Sequence, residues 1–224
     1  MKESSTREPS KIAQRRELAR KERSAAWLEQ RAQILAKAAE VFALNGFNGT
    51  SITDIANHLG VSQSNIYYYF GTKQEIFLEL VRRASDYNVT GAEAIAAKRG
   101  SSVDRIAEVI ELLASSYEEH YPFLNLYVQE DGRWLSSTGA ELQQFFLDSA
   151  QRFEDAVMAI VEDGIQKGEF KVDLDARMVT YTVLGAVNWM HRWYRPGGEL
   201  SGGEVGKVMS RILLSGIADT GGAP

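Results

Sequence analysis

No proline lies between Pro9 and Pro122. A proline inside a helix removes a hydrogen bond and clashes with the preceding turn, so a long proline-free chain is free to run helix after helix. Strand signals do not compete, because alternation of β-branched and polar residues is never sustained. Apolar residues recur instead at spacings of three and four. In WLEQRAQILAKAAEVFALN, residues 27–45, they fall at Leu28, Ala32, Leu35, Ala38, Ala39 and Phe42, one stripe of a 3.6-residue helix. Asn45-Gly46 stops that helix. Short helices follow at about 53–59 and 63–70, with Gly60 and Gly71 as their terminators. Further periodic stretches lie near 74–97, 103–120, 123–131, 139–167, 175–194 and 203–218. The expectation is an all-α chain of about nine helices.

Several classes drop out on composition. There is no cysteine, hence no disulfide framework, no cysteine metal site and no thiol chemistry. No run reaches the ~18 apolar residues of a membrane span. The polar start, MKESSTREPSKIAQRRELARKERS, lacks the apolar region of a secretory signal. These features fit the cytoplasm. The net charge of −5 argues against nucleic acid, but it is unevenly spread: residues 1–83 carry +4 and residues 84–224 carry −9. A basic part joined to an acidic one suggests two tasks on one chain.

The basic part holds a pair of helices too short to stand alone. The helix at 27–45 offers them an apolar face, and Ile52, Ile55, Ala56, Leu59, Val61, Ile66 and Phe70 can share a small core with it. Thr50 or Ser51 is placed to cap the first short helix and Ser62 the second. Gly60 supplies the positive φ of a tight turn. Gln63, Ser64 and Asn65 are left at the exposed start of the second helix. A helix-turn-helix presents such residues to base edges in the major groove, where Gln and Asn pair with adenine and Ser is permissive. Tyr67, Tyr68 and Tyr69 fan across more than half of that helix, since each residue advances it by ~100°. At least one ring must face outward, where a phenol can bond a phosphate. Lys73, just past Gly71, is placed to neutralise another.

The stretch GFNGTSITDIANHLGVSQSNIYYYFGTKQEIFLELV resembles the N-terminal domain of the TetR family of transcriptional regulators. Gly46-Phe47, Thr50-Ser51, Ile55-Ala56, Gly60-Val61-Ser62, the interval from Tyr67 to Phe70, and Lys73 match the family pattern at fixed spacing. The resemblance implies DNA contacts from Thr50, Ser62, Gln63, Ser64, Asn65, Tyr67, Tyr68, Tyr69 and Lys73. It also implies a small-molecule pocket and a dimer interface in the C-terminal part. Many relatives carry His at the position of Tyr69, which puts that single contact in question.

The C-terminal part is rich in aromatic residues, which for any one residue read first as a bulky core. As a ligand pocket the candidates are Tyr117, Tyr121, Tyr127, Trp134, Phe146, Asn188, Trp189 and Arg192. VLGAVNWMHRWYRPGGELS, residues 183–201, resembles the penultimate helix of an acyl-coenzyme A-responsive subset, so an acyl-CoA is the leading effector. Arg192 and Arg195 read either as CoA phosphate ligands or as ordinary cations at a helix C-terminus. Gly185 and Ala186 permit close approach of helices, and Ile212, Leu213 and Ile217 offer an apolar strip. A homodimer through the last two helices follows as the expectation.

No enzyme is expected. The three histidines, His58, His120 and His191, form no two-histidine metal spacing on one helix face. Glu118, Glu119 and His120 with Glu130 and Asp131 imitate a metal site only in composition, and no cofactor is expected. The division read from the sequence is a flexible basic arm at 1–24, a DNA-binding domain at 25–75, a ligand-binding and dimerisation domain at 76–219, and a tail at 220–224. The arm reads either as a phosphate-tracking extension or as a solubilising tail. The expected partners are a double-stranded operator, a small-molecule effector and a second copy of the chain, with no membrane. The alternatives are a helical carrier or enzyme, and a DNA-binding protein without a ligand.

Overall fold

The computed structural model of the chain describes residues 25–120 and 140–217. The basic arm, the periodic stretch at 123–131, the pocket candidates Tyr121, Tyr127 and Trp134, and the tail lie outside the described residues. Nine helices occur among the described residues. They are α1 Ala25–Asn45, α2 Ile52–Leu59, α3 Gln63–Tyr69, α4 Lys73–Ala96, α5 Ser102–Glu119, α6 Ala140–Gln166, α7 Ala176–Asn188, α8 Met190–Trp193 and α9 Gly202–Ile217. No helix among the described residues is long and apolar enough to cross a membrane. The chain divides into a unit of residues 1–80 and one of residues 81–224, and the division falls inside α4.

In the first unit α1 buries Trp27, Ile34, Leu35, Ala38, Val41 and Phe42. Its face is turned from the expected stripe at the start of the helix. Leu28 is 48% exposed, because the neighbouring Trp27 takes the inner place and meets Tyr69 at 5.6 Å between ring centroids. Phe42, Phe47 and Phe77 pack edge-on or tilted at 4.9–5.9 Å and tie α1, the loop after it and α4 into one core. Gly46 ends α1 with φ 70°. Ser51 caps α2 in a capping box with Asp54, which satisfies two amides that the helix start leaves unpaired. Gly60 closes α2 in the left-handed region, with φ 72°. Its N–H bonds Asn57 O at 3.1 Å, while the next N–H, of Val61, bonds Ala56 O at 3.0 Å.

The second unit is assembled around α5. Ile106, Val109, Ile110 and Ala114 of α5 pack with Val157, Ile160 and Val161 of α6, Val179, Val183 and Val187 of α7, and Val205 and Leu214 of α9. Two glycines let α9 lie close against α5. A Cβ on Gly202 would stand 2.4 Å from Ala114 O, and one on Gly206 would stand 2.8 Å from Glu111 Cα. The start of α5 is held by side chains of α6 and of the turn after it. Glu169 accepts hydrogen bonds from Ser101 Oγ at 2.9 Å and from Ser102 N. The buried Arg105 donates to Ala96 O and pairs with Asp163. The stretch expected as one helix over 175–194 is interrupted at Trp189. There the Arg192 N–H bonds Trp189 O, three residues back, so the chain tightens before the short α8.

Candidate nucleic-acid interface

The geometry of α3 follows from its ends, its buried Ile66 and the buried Phe70 that caps it. Ser62 Oγ accepts the Asn65 N–H at 3.3 Å and caps the helix. Ile66 and Phe70 are both fully buried, and they fix which face turns inward. Gln63 and Ser64 are then exposed, and Asn65 is half-buried with its Oδ1 enclosed and accepting no hydrogen bond. Gln63 Nε2 donates to Thr53 Oγ1 of α2, so the first residue of α3 is braced rather than loose. Thr53 gave no sign of this role in the sequence.

The three tyrosines separate as the helical fan requires. Tyr67 is 40% exposed, while Tyr68 and Tyr69 are half-buried. Tyr69 lies between Trp27 at 5.6 Å and the edge of Tyr68 at 4.9 Å. Burial raises its pKa above the usual tyrosine value, and Tyr68 adds to the effect. The helix Gln63–Tyr69 carries no charged residue, so what it presents is neutral hydrogen-bonding groups and aromatic rings.

Two expected contact residues have their polar groups engaged inside the unit. Thr50 is 3% exposed, and its hydroxyl donates to Gly46 O at 2.7 Å. Lys73 Nζ donates to Phe47 O and Thr50 O, both at 2.7 Å, and stands 4.1 Å from the centroid of the Phe47 ring. Burial lowers the Lys73 pKa from the usual lysine value, with Asp54 acting in the opposite sense. The phosphate role expected for Lys73 therefore meets an ammonium already occupied.

The described pocket candidates of the second unit differ in exposure. Tyr117 and Phe146 are buried, whereas Asn188 and Arg192 are exposed and Trp189 is 58% exposed. Arg192 lies over the Trp189 ring at 5.5 Å on that surface. An apolar groove of about 170 Å³ opens elsewhere, between Leu174, Met178, Val179, Val183, Leu213 and Ile217. Sequence periodicity had offered Leu213 and Ile217 only as an interface strip. Among the described residues no group of three or more His, Asp or Glu is placed to hold a metal ion.

A braced, neutral helix presented after a tight turn, on a three-helix unit joined to a larger helical one, defines a helix-turn-helix regulator. Comparison with known proteins agrees. Residues 34–80 match the family of bacterial regulatory proteins named tetR, and residues 99–217 match the tetracyclin repressor-like C-terminal domain. The second match alone spans more than half of the chain, and the chain belongs to the TetR family of transcriptional regulators. It is similar to the HTH-type transcriptional repressor KstR2 of Mycobacterium tuberculosis, with 28% identity over 193 residues, 86% of this chain and 94% of that protein. It is 27% identical over 160 residues to the fatty acid metabolism regulator protein of Bacillus subtilis, covering 70% of this chain and 78% of that one. Among solved structures, the TetR family regulator PfmR from Thermus thermophilus superposes with a TM-score of 0.71 at 30% identity, covering 81% of this chain and 97% of the other.

Proposed function

We propose that the chain is a cytoplasmic repressor that binds a palindromic operator as a two-fold dimer and leaves it when an apolar ligand, foremost an acyl-CoA, occupies the second unit. The observation that carries the reading is the outer face of α3. Gln63 and Ser64 stand exposed at its start and Tyr67 one turn later, while Ile66 and Phe70 anchor the opposite side. In this reading Ser62, Gln63, Ser64 and Asn65 address base edges, and Tyr67, Tyr68 and Tyr69 address the sugar-phosphate backbone. Two such helices related by a two-fold axis require half-sites about one helical turn apart.

The effector is argued from the relatives and from the composition of the second unit. KstR2 is named a ketosteroid regulator and the Bacillus relative a regulator of fatty acid metabolism, so both names concern largely apolar molecules. Release needs a ligand that binds one dimer shape better than the other, and the difference in affinity sets the size of the response. The helix α4, continuous through the division at Leu80 and Val81, is the element through which such a difference is passed on.

The test is fluorescence anisotropy of the full chain on a palindromic duplex selected from a randomised pool. Selected duplex is expected to bind at least ~10³-fold more tightly than scrambled duplex. Palmitoyl-CoA and shorter acyl thioesters are then titrated into the complex, with mass spectrometry of the purified protein to find any ligand carried with it. Equal affinity for scrambled duplex removes the operator reading. Operator affinity indifferent to every thioester, with no apolar ligand carried, removes the effector.

A further inference from the structure

Lys73 sits where a phosphate-neutralising cation is expected, yet its ammonium faces the protein. An ammonium has three N–H donors. Two of them are used on Phe47 O and Thr50 O at 2.7 Å. A third side of the group lies 4.1 Å from the Phe47 ring centroid, within the range of a cation–π attraction. We infer that Lys73 is a positioning residue: it clamps the loop ahead of α2 to the start of α4, and so sets how α3 is presented, without neutralising a phosphate itself.

The argument is topological. Phe47 and Thr50 precede α2, and Lys73 follows α3. The two hydrogen bonds span 26 and 23 residues and close the chain around the whole helix-turn-helix. They add directional bonds to the packing of Phe47 on Phe77, which joins the same loop to α4. The loop being held is otherwise built to receive the clamp. Gly46 turns it through the left-handed region, and the Thr50 hydroxyl bonds back to Gly46 O at 2.7 Å. Thr50 is 3% exposed, so its carbonyl has little water to replace a departing ammonium. A buried acceptor left without a donor is costly, which weighs against Lys73 swinging out to DNA. The start of α4 is fixed in turn, because Gly71 N–H donates to Glu75 Oε2 at 2.7 Å and Glu75 N–H donates to Thr72 Oγ1 at 3.0 Å.

The clamp itself concerns the free protein; only its consequence for DNA rests on the operator reading. The experiment keeps the two apart. Amide hydrogen exchange is measured on full-length wild type, Lys73→Gln and Lys73→Arg without DNA. The clamp predicts that Lys73→Gln speeds exchange at Gly46 and Thr50 by about tenfold or more, leaves α5 unchanged, and is rescued by Lys73→Arg, which keeps two donors. Binding to a random-sequence duplex and to the selected palindrome is then followed against salt. Preference for the palindrome is expected to fall about tenfold, while the slope of log K against log[salt] stays at its wild-type value. Loss of one phosphate contact per subunit would instead reduce that slope by about 0.9 for each. Unchanged exchange in the loop, or a reduced slope, overturns the proposal. If Lys73→Gln does not fold, Lys73→Met, which keeps the stem on Phe47, gives the same readings. If wild type prefers no duplex, the operator reading fails and the exchange result still decides the clamp.

Discussion

A phenol that is 40% exposed and one that rests on Trp27 at 5.6 Å respond differently to loss of the same chemistry. Tyr67→Phe removes only a hydroxyl from the outer face of α3. It is expected to weaken operator binding by about 0.5–1.5 kcal/mol, nearly alike for all sequences, and to leave the melting temperature unchanged. Tyr69→Ala removes a ring packed between Trp27 and Tyr68 and is expected to lower stability by at least ~1 kcal/mol. Urea melts of the free protein together with anisotropy on the operator separate the two; equal stability losses would contradict the assignment of inner and outer rings. That one tyrosine must face out was legible in the sequence, because three consecutive helical residues cannot share one face. Which of them turns in was not legible. The partner is Trp27 of α1, and no periodicity connects residues that meet only through tertiary packing. The inward turn of the Thr50 hydroxyl was not legible for a related reason: it meets Gly46 O through the curvature of the loop, which a motif match does not describe.

At the scale of helices, caps and breaks were readable because their chemistry is local. Ser51, Gly60 and Ser62 act where their types say they should. The close packing of α9 on α5 was not readable, since Gly202 and Gly206 look in sequence like loop and helix-weakening glycines. A methyl at Gly206 would stand 2.8 Å from Glu111 Cα and 3.1 Å from Ala114 Cβ, and backbone cannot step aside. Gly206→Ala is therefore expected to destabilise the second unit by about 1–3 kcal/mol from overpacking, outweighing the gain of up to ~1 kcal/mol in helix propensity. A thermal melt that rises instead would show that the two helices can part at little cost. The start of α5 carries a pH dependence. Hydrogen bonds from Ser101 and Ser102 hold Glu169 below the ordinary glutamate value of 4.5, although burial alone would raise it. Asp163 is held below 3.8 chiefly by its bond to Lys167, with Arg105 and Ser102 contributing. Carboxylates with depressed pKa values favour the folded state above their unfolded pKa, and that contribution is lost as pH falls through the folded value. Stability is thus expected to decline below about pH 4.5. Glu169→Gln should flatten that decline in acid titrations followed by circular dichroism; an unchanged slope would remove Glu169 from the account.

For the whole molecule the open question is what covers the apolar surface of α7, α8 and α9. Met178, Tyr181, Trp189, Trp193 and Val208 are all exposed, and Ile212 is 66% exposed. Scattered apolar residues are normal on a surface, but a run along helices at the end of the chain is the pattern of an interface. Gly185 lies on the same helix as Met178, and a Cβ there would meet nothing within 4 Å. A glycine inside a helix costs about 1 kcal/mol relative to alanine, and no contact among the described residues explains it; the close crossing of a second copy would. A two-fold pairing would bury these faces and bring two α3 helices to one duplex. Ile212→Glu places a charge in that contact at a position that is 66% exposed and outside the apolar core cluster. It is expected to leave the helical circular-dichroism signal intact, to shift sedimentation from dimer to monomer, and to reduce affinity for the palindrome toward that of a single half-site. Random-sequence duplex, which needs no fixed spacing, should lose far less. A variant that stays dimeric, or that loses both affinities alike, would mean that α9 is not where the copies meet or that spacing is not what the operator selects.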